Sequence, residues 1–397
     1  MKDSALYVHI PFCDHKCIYC DFYSIITSDN IDPFLSSLKK EIDYYSGIYS
    51  EGREFSSIYF GGGTPSLMTP SYIAEIIDYL NRKFTVTPGA EVTLETNPGT
   101  VDKSKLKDFR NAGVNRLSVG IQSFHNDELK FLTRIHNSET AVETIMNAGE
   151  AGFDNVSLDL IFNLPGQTKQ KWEKNLKRAL SLPIKHISAY SLILERGTIL
   201  NKMVLDKKVV LQDDDYDADL YEFTIDFMTE NNFLQYEVSN FCHPGFECRH
   251  NNAYWRYRDY LSFGTSAHSF MNGKRWWNFS SLKKYIHEIE TNGTAGAGSE
   301  IINGKQRVDE YVMLALRSVG LDIEEFNSRF SSGITREREE LQGASDDSSF
   351  NPADWIKQKN DYFVQLKNQN LLEIDDHFIR LTKKGYAVCD EILGNLL

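Results

Sequence analysis

Short apolar runs rich in β-branched residues alternate, over the first 240 residues, with longer segments whose apolar residues recur at spacings of three and four. This alternation indicates strands followed by helices. The predicted strands cover residues 6–10, 58–61, 92–97, 116–121, 156–162, 186–192 and 236–241. The helical spacing is clearest in residues 72–80, 141–151 and 217–227. Six or seven such units in series predict an α/β fold with parallel strands in a closed or partial barrel, and an open doubly wound sheet is the alternative.

The pattern changes after about residue 300, where helices predominate. A helical segment at 308–319 is followed by a polar stretch at 331–350, a further helix and a hairpin-like run at 371–381. This order of helices and hairpin resembles a winged-helix lobe. We therefore predict three regions, a barrel, a middle segment and a mostly helical C-terminal lobe, over residues 1–240, 241–295 and 296–397.

The composition is that of a globular protein, with 41% hydrophobic and 25% charged residues. No apolar run approaches the roughly 20 residues of a membrane-spanning helix, so we predict no membrane span. The first ten residues lack the cationic and apolar regions of a secretory signal, which favours a cytoplasmic protein. A net charge of −13 disfavours nucleic acid as a partner, because its phosphates are held mainly by Lys and Arg.

Three of the six cysteines lie within eight positions, in the spacing C-x3-C-x2-C formed by Cys13, Cys17 and Cys20. Thiolates are the preferred ligands of iron–sulfur clusters, and a [4Fe-4S] cluster needs four ligands. Three cysteines therefore leave one iron open, and this iron could chelate the methionine end of S-adenosylmethionine. The alternatives are a structural zinc site, with His15 or a distant residue as its fourth ligand, and ordinary buried cysteines.

Other polar residues follow the predicted strands. The glycines of the string GGGTP at residues 61–65 allow a close approach of the backbone to a ligand, although a tight turn explains them equally well. No Gly-Lys-Ser/Thr and no G-x-G-x-x-G is present there, which excludes the common nucleoside triphosphate and dinucleotide sites. Charged or amide residues near strand ends are either ligand contacts or surface groups: Glu95, Gln122, Arg134 and Asp159.

A second informative stretch contains two cysteines and two histidines within nine positions, from Cys242 to His250. Either residue type could bind a metal or the iron of haem. The alternative is a loop that packs an aromatic cluster beneath the barrel. We assign no role to Cys242 and Cys248 from the sequence.

The cysteine spacing, the aromatic Tyr19 before the third cysteine and the βα pattern together resemble the radical S-adenosylmethionine superfamily. Within it, the chain is similar to the group of oxygen-independent coproporphyrinogen III oxidases and HemW-type haem chaperones. The strings that carry this similarity are YVHIPFC at 7–13, GGGTPS at 61–66, ETNP at 95–98, SVGIQSF at 118–124 and LDLIFNLPGQ at 158–167. The strings HNNAYW at 250–255 and GTSAHS at 264–269 resemble those of the haem chaperones.

The resemblance implies a partial (β/α)6-type radical S-adenosylmethionine barrel that carries a [4Fe-4S] cluster, S-adenosylmethionine and haem. It implies that Cys13, Cys17 and Cys20 hold the cluster and that His250 contacts haem. It also implies a set of residues around S-adenosylmethionine, in which Glu95 and Gln122 contact the methionyl part and the ribose, Arg134 the carboxylate and Asp159 the ribose hydroxyls. The full set is Tyr7, Tyr19, Gly62, Gly63, Thr64, Glu95, Gln122, Arg134 and Asp159.

Two departures from the oxidases separate the two functions. Oxidases of this group carry a further cysteine two positions after the third, where this chain has Phe22, and an N-terminal extension, where this chain has twelve residues before Cys13. Both favour a haem chaperone that passes haem to an acceptor protein and receives electrons from a donor. Radical decarboxylation of coproporphyrinogen III is the alternative, and a radical enzyme acting on RNA or another substrate is a third. No catalytic residue is assigned.

Overall fold

The computed structural model describes residues 1–27, 29–331 and 350–397. Nearly all of the predicted polar stretch at 331–350 therefore lies outside the described residues. No helix in the described part of the chain combines the length and the apolar character needed to cross a membrane.

Strands and helices alternate through the first two-thirds of the chain. The strands are β1 Lys2–Ile10, β2 Arg53–Gly62, β3 Val86–Thr96, β4 Arg116–Gln122, β5 Asn155–Phe162, β6 His186–Ser191, β7 Leu234–Glu237, β8 Asn240–Cys242, β9 Tyr260–Phe263, β10 His268–Met271, β11 Lys274–Asn278 and β12 Gly296–Ile301. The helices are α1 Ile31–Tyr49, α2 Pro70–Lys83, α3 Lys103–Asn111, α4 Asn126–Phe131, α5 Ser138–Glu150, α6 Lys169–Leu180, α7 Ile199–Leu205, α8 Asp214–Glu230, α9 Arg249–Trp255 and α10 Leu282–Asn292, with a 3-10 turn at Pro65–Leu67. Side-chain oxygens of Thr69, Asp102, Asn137 and Thr168 cap four of these helices at their N-termini.

The twelve strands form one sheet in the order β12-β11-β10-β9-β1-β2-β3-β4-β5-β6-β8-β7 across the described residues. Strands β1 to β6 pair in sequence and in parallel, and β9 adds a parallel strand beside β1. The remaining pairs are antiparallel. The predicted parallel βα core is therefore present, and its six consecutive strands place their carboxyl ends side by side.

Alternation along each parallel strand separates an apolar face from a polar one. In β4, Leu117, Val119 and Ile121 join the main hydrophobic core, whereas Arg116 and Gln122 lie on the other face. The same period places polar residues of β2 to β6 on the inner side of the sheet: Tyr59, Glu95, Ser118, Asp159, His186 and Ser188. The apolar face thus holds the helices, and the polar face is left to line a cavity.

The prediction of one parallel strand at 236–241 is wrong. This stretch is the hairpin of β7 and β8, which pair antiparallel with each other, and β8 pairs antiparallel with β6. The seventh parallel strand is instead β9. The turn lies at Val238 and Ser239, where no glycine or proline marks it in the sequence.

The remaining elements form the C-terminal lobe. They are α11 Gly304–Leu316, β13 Leu321–Asp322, α12 Ile323–Ser331, α13 Pro352–Asn368, β14 Leu372–Ile374, β15 Phe378–Leu381, α14 Lys383–Ala387 and α15 Cys389–Leu396. The three short strands form a separate antiparallel sheet, which fits the predicted winged-helix-like order of helices and hairpin. The lobe has its own hydrophobic core, which includes Cys389. The three-region division stays a prediction, and its boundary at 240 falls within β8.

A buried carboxyl group ties α1 to the sheet beyond β1. Glu41 accepts hydrogen bonds from the Tyr285 hydroxyl at 2.6 Å, the Gly264 amide at 2.9 Å and the Asn278 amide at 2.5 Å. Burial raises the pKa of Glu41 to about 7, and the three hydrogen bonds oppose this effect. The structure therefore favours the protonated form of this side chain more than the unfolded chain does.

This raised pKa predicts a loss of stability with rising pH. The native state binds more protons than the unfolded state between pH 4.5 and about 7, so the contribution of Glu41 to the free energy of unfolding falls across that window by about 3 kcal/mol. Urea unfolding of Glu41→Gln at several pH values should show a shallower fall than the wild type. Glu324→Gln, on the exposed surface of α12, should keep the wild-type slope. Equal slopes for Glu41→Gln and the wild type would contradict the account.

Candidate functional site

A cavity of about 430 Å³ lies on the polar face of the parallel strands. Its upper wall comes from the segments that follow the strands, including residues 13–24 after β1, the glycine loop after β2 and Leu192 after β6. Its floor is formed by Arg116 and His186, the first residues of β4 and β6, and by Asn251 of α9. The cavity therefore runs through the barrel from the carboxyl ends of the strands to their amino ends.

The cysteine loop covers the top of this cavity. Cys13, Cys17 and Cys20 all line it, and all three are free thiols. The loop is closed by backbone hydrogen bonds from Cys13 to the Ile25 carbonyl at 2.9 Å and from Ile25 to the Pro11 carbonyl at 2.8 Å. Closure of the loop at its base is what brings the three thiols to one wall of the cavity.

The surroundings of the thiols fit a thiolate-held cluster. The Cys13 sulfur lies 3.2 Å from the Thr64 hydroxyl, and a guanidinium nitrogen of Arg134 lies 3.6 Å from the Cys17 sulfur. A hydroxyl therefore lies beside one of the three sulfurs and a cation beside another. Burial raises the pKa of the Cys20 thiol. As the side chains stand, the described residues contain no group of three or more His, Cys, Asp or Glu close enough to hold a metal ion.

The glycine loop is packed tightly against the cysteine loop. A Cβ at Gly62, whose φ is 117°, would lie 2.8 Å from the Ile10 carbonyl oxygen, and one at Gly63 would lie 2.6 Å from that of Phe12. The amides of Gly63 and Thr64 donate to these same two carbonyls, each at 2.8 Å. These two amides are thus occupied by protein. The glycines allow the two loops to meet, and this contact sets the cavity wall.

Two carboxyl groups face the cavity from β3 and β5. Glu95 accepts hydrogen bonds from the Tyr59 hydroxyl at 2.9 Å and the Gly62 amide at 3.1 Å. Burial raises the pKa of Glu95 to about 7, and the nearby charge of Asp159 acts in the same direction. Burial also raises the pKa of Asp159, whose carboxylate accepts from the Ser118 hydroxyl at 3.3 Å. Two such acceptors in a buried site suit a ligand with amino and hydroxyl donors.

Arg134 and Gln122 complete the predicted set at the end of β4. One guanidinium nitrogen of Arg134 donates to the Asn97 side-chain oxygen at 2.8 Å and to the Gly120 carbonyl at 2.7 Å, and its buried Nε has no partner. Gln122 has a φ of 69°, which is rare for a residue other than glycine. Both residues line the cavity, as does Tyr19.

The structure does not place Tyr7 or His250 on the cavity wall. Both lie in an aromatic layer behind it, where the Tyr7 ring stacks on Tyr59 and His250 at centroid distances of 6.1 Å. Both ring nitrogens of His250 have protein partners, the Ser57 hydroxyl at 3.1 Å and the Tyr254 hydroxyl at 2.9 Å. Burial lowers the pKa of His250 to about 3. In this arrangement neither ring nitrogen of His250 is free, and its haem contact stays a prediction.

These contacts make His250 a structural residue whose loss is costly. In His250→Ala two buried hydroxyls lose their partner and a cavity forms, so the free energy of unfolding should fall by about 3 kcal/mol. Urea unfolding measures this directly. His377→Ala, at an exposed position of the C-terminal lobe, should change stability by less than about 0.5 kcal/mol. A stability equal to that of the wild type in His250→Ala would refute the assignment.

The two cysteines of the second informative stretch are also buried away from the cavity. Cys242 and Cys248 pack with Tyr236 in a small cluster, and burial raises both thiol pKa values to about 12. The Cys248 thiol donates to the Glu91 carboxylate at 3.4 Å. Their contacts are those of packed side chains, and the described residues around them include no group of three or more potential metal ligands.

Sequence reasoning missed Arg116 and Asn251, which form the cavity floor. Arg116 is 2% exposed, its Nε has no hydrogen-bond partner and Glu91 lies 4.0 Å away. The sequence did contain a signal for Arg116, because alternate residues of β4 face the cavity and Arg116 lies two positions before Ser118. Asn251 stands next to His250 in the string HNNAYW, and only the turn of α9 decides which of the two faces the cavity.

Comparison with known proteins agrees with this geometry. The family model described as the Radical SAM superfamily matches residues 7–179. The whole chain is 31% identical to the heme chaperone HemW of Lactococcus lactis, of which it covers 98%. It is 32% identical to the heme chaperone HemW of Bacillus subtilis, with 99% of each chain covered. The chain belongs to the HemW family of heme chaperones, within the radical S-adenosylmethionine superfamily.

A solved structure confirms the fold of this family member. The structure of coproporphyrinogen III oxidase (HemN) from Escherichia coli matches all of this chain and 90% of that one, with a TM-score of 0.80 and 23% identity. At this identity the similarity concerns the fold alone. The predicted α/β core with a parallel sheet and an added C-terminal region is confirmed, as is the predicted family.

Proposed function

We propose that this chain is a haem chaperone that holds a [4Fe-4S] cluster through Cys13, Cys17 and Cys20, binds S-adenosylmethionine in the adjoining cavity and passes haem to an acceptor protein. The observation that carries the proposal is that these three cysteines line one cavity in a chain that matches two heme chaperones along its length. The proposal includes an electron donor for the cluster. It also places the protein in the cytoplasm, where thiols such as these six free cysteines stay reduced.

The cavity residues divide the task of holding S-adenosylmethionine. A cluster held by Cys13, Cys17 and Cys20 would supply single electrons to the sulfonium of S-adenosylmethionine when both are bound. Glu95 and Gln122 accept or donate hydrogen bonds at the methionyl part and the ribose, and Asp159 accepts from the ribose hydroxyls. Arg134 orients the carboxylate and stands beside Cys17. The cavity wall is held against the cysteine loop by Gly62, Gly63 and Thr64. Tyr19 packs on a small apolar cluster that includes Leu164 and forms one side of the cavity.

The second candidate is radical decarboxylation of coproporphyrinogen III. The fold shared with the Escherichia coli oxidase is compatible with it. Phe22 counts against it, because the oxidases of this group carry their additional cysteine at that position. Its side chain is 63% exposed at the edge of the cavity, so this chain offers an apolar contact where those enzymes have a thiol.

One anaerobic experiment separates the two candidates. The reconstituted protein is given S-adenosylmethionine, a reductant and coproporphyrinogen III, and in parallel is titrated with haem. We expect saturable binding of about one haem per chain and no protoporphyrinogen beyond a single turnover. Catalytic formation of protoporphyrinogen would contradict the chaperone proposal and support the oxidase function. Failure to bind haem would also contradict the chaperone proposal.

A further inference from the structure

The opening of the cavity carries apolar side chains that are both exposed and part of its wall. Ile193, which follows β6, is 67% exposed, and Phe22 in the cysteine loop is 63% exposed. Both line the cavity. Large apolar side chains at the opening of a pocket indicate a surface that is covered by a ligand.

The two segments that supply these side chains are fastened to each other. The Leu200 amide of α7 donates to the Ile18 carbonyl of the cysteine loop at 2.9 Å. The Leu192 amide donates to the Phe162 carbonyl at 3.1 Å, which fixes the chain just before Ile193. Phe22 and Ile193 therefore stand on two anchored loops at one opening, so that a flat apolar molecule can contact both.

The volume of the cavity limits what it can hold. Pockets for small ligands run from about 300 to 1,000 Å³. A cavity of about 430 Å³ lies at the lower end of this range, so we place a single ligand, S-adenosylmethionine, inside it. If both molecules bind to the same chain, as the proposed function requires, haem lies outside the cavity, and the exposed Phe22 and Ile193 favour its opening.

Cations border the apolar side chains. Arg196, three residues after Ile193, is exposed and has no ion-pair partner among the described residues. Lys16 is exposed and donates to the Phe22 carbonyl at 3.3 Å. Asp14, Asp21 and Glu195 are the acidic neighbours of these cations along the chain. A rim with an apolar centre and cations at its edge matches an apolar macrocycle with two carboxylates.

We propose that haem binds across the opening of the cavity, with one face of the macrocycle on Ile193 and Phe22 and its propionates towards Arg196 and Lys16. The inference rests on the proposed function and adds the place of binding to it. Haem in this position closes the cavity above S-adenosylmethionine and keeps its other face accessible, from which an acceptor protein can take it.

Haem titration of the reconstituted full-length protein, followed by its absorbance, tests the apolar contact. Ile193→Asp and Phe22→Ser should each weaken haem binding at least tenfold, with unchanged iron and sulfide content. Ile48→Asp is the matched control, because Ile48 is 54% exposed on α1 and lies outside the cavity. Wild-type affinity in both rim variants would overturn the proposal while leaving the chaperone function standing. No haem binding by the wild type would instead overturn the proposed function.

A modified ligand tests the propionate contact separately. Arg196→Glu should bind haem at least fivefold more weakly than the wild type but should bind haem dimethyl ester, which lacks the two carboxylates, with wild-type affinity. Lys357→Glu, an equal charge change at an exposed position of α13, should leave both affinities unchanged. An equal loss for haem and for its ester in Arg196→Glu would contradict the assigned orientation.

Discussion

Cys17→Ala is expected to lose the iron–sulfur cluster completely. Cys17 is the middle of the three thiols and is 8% exposed, and a guanidinium nitrogen of Arg134 lies 3.6 Å from its sulfur. Without it, two protein thiols remain for four irons, which is too few to retain a [4Fe-4S] cluster. After anaerobic reconstitution the absorbance at about 400 nm should be absent, and iron and sulfide should fall to background.

A buried cysteine elsewhere provides the control for this experiment. Cys242→Ala removes a thiol that is also buried, but in the small cluster with Tyr236 and away from the cavity. It should therefore retain the absorbance and the four irons per cluster. A full complement of iron and sulfide in Cys17→Ala would show that this residue is not a ligand.

Gly62→Ala is expected to damage both stability and the binding of S-adenosylmethionine. The added Cβ would lie 2.8 Å from the Ile10 carbonyl oxygen and the same distance from a carbon of the His9 ring, at a φ of 117°. Strained backbone and overpacking together should lower the free energy of unfolding by about 3 kcal/mol. Displacement of the loop would also shift the Gly62 amide that donates to Glu95. Urea unfolding and equilibrium binding should show both effects, with affinity for S-adenosylmethionine reduced at least tenfold.

Two other glycines separate the causes of this effect. Gly245 has a φ of 87° and no atom within 4 Å of the position that a Cβ would occupy, so Gly245→Ala should show the dihedral cost of about 1 kcal/mol without a clash. Gly47, inside α1, has neither the unusual φ nor a close neighbour, and its replacement by alanine should be neutral or stabilising. If Gly62→Ala and Gly245→Ala lower the free energy of unfolding by the same amount, the close contact of Gly62 with β1 does not contribute to stability.

Periodicity was sufficient for the parallel core, because six strands and their helices each carry a clear apolar pattern. It failed at residues 234–242, where one apolar run hides two strands and a turn without glycine or proline. Strands β9 to β12 were not predicted, since they are only four to six residues long, and the pairing of β9 with β1 joins positions more than 250 apart. Short strands with such long-range partners leave little local signal.

The site residues likewise include some that the sequence marks and some that it does not. The cysteines, the glycine loop and Glu95, Gln122 and Asp159 line one cavity, and strand ends and family strings mark them in the sequence; their ligands stay a prediction. The roles expected of Tyr7 and His250 were also taken from their positions in these strings, but the structure places both side chains behind the cavity wall. A string of residues specifies neither the depth of a side chain in the barrel nor the way a short helix turns. That is why the structure brings Asn251, and not His250, to the cavity.

Electron paramagnetic resonance of the reduced cluster tests the central claim, which is that the three cysteines leave one iron open to the cavity. The fully reconstituted wild type is reduced anaerobically and measured with and without S-adenosylmethionine. The account predicts that S-adenosylmethionine changes the spectrum, because the open iron gains new ligands. A complete cluster whose spectrum is identical in both samples would contradict it.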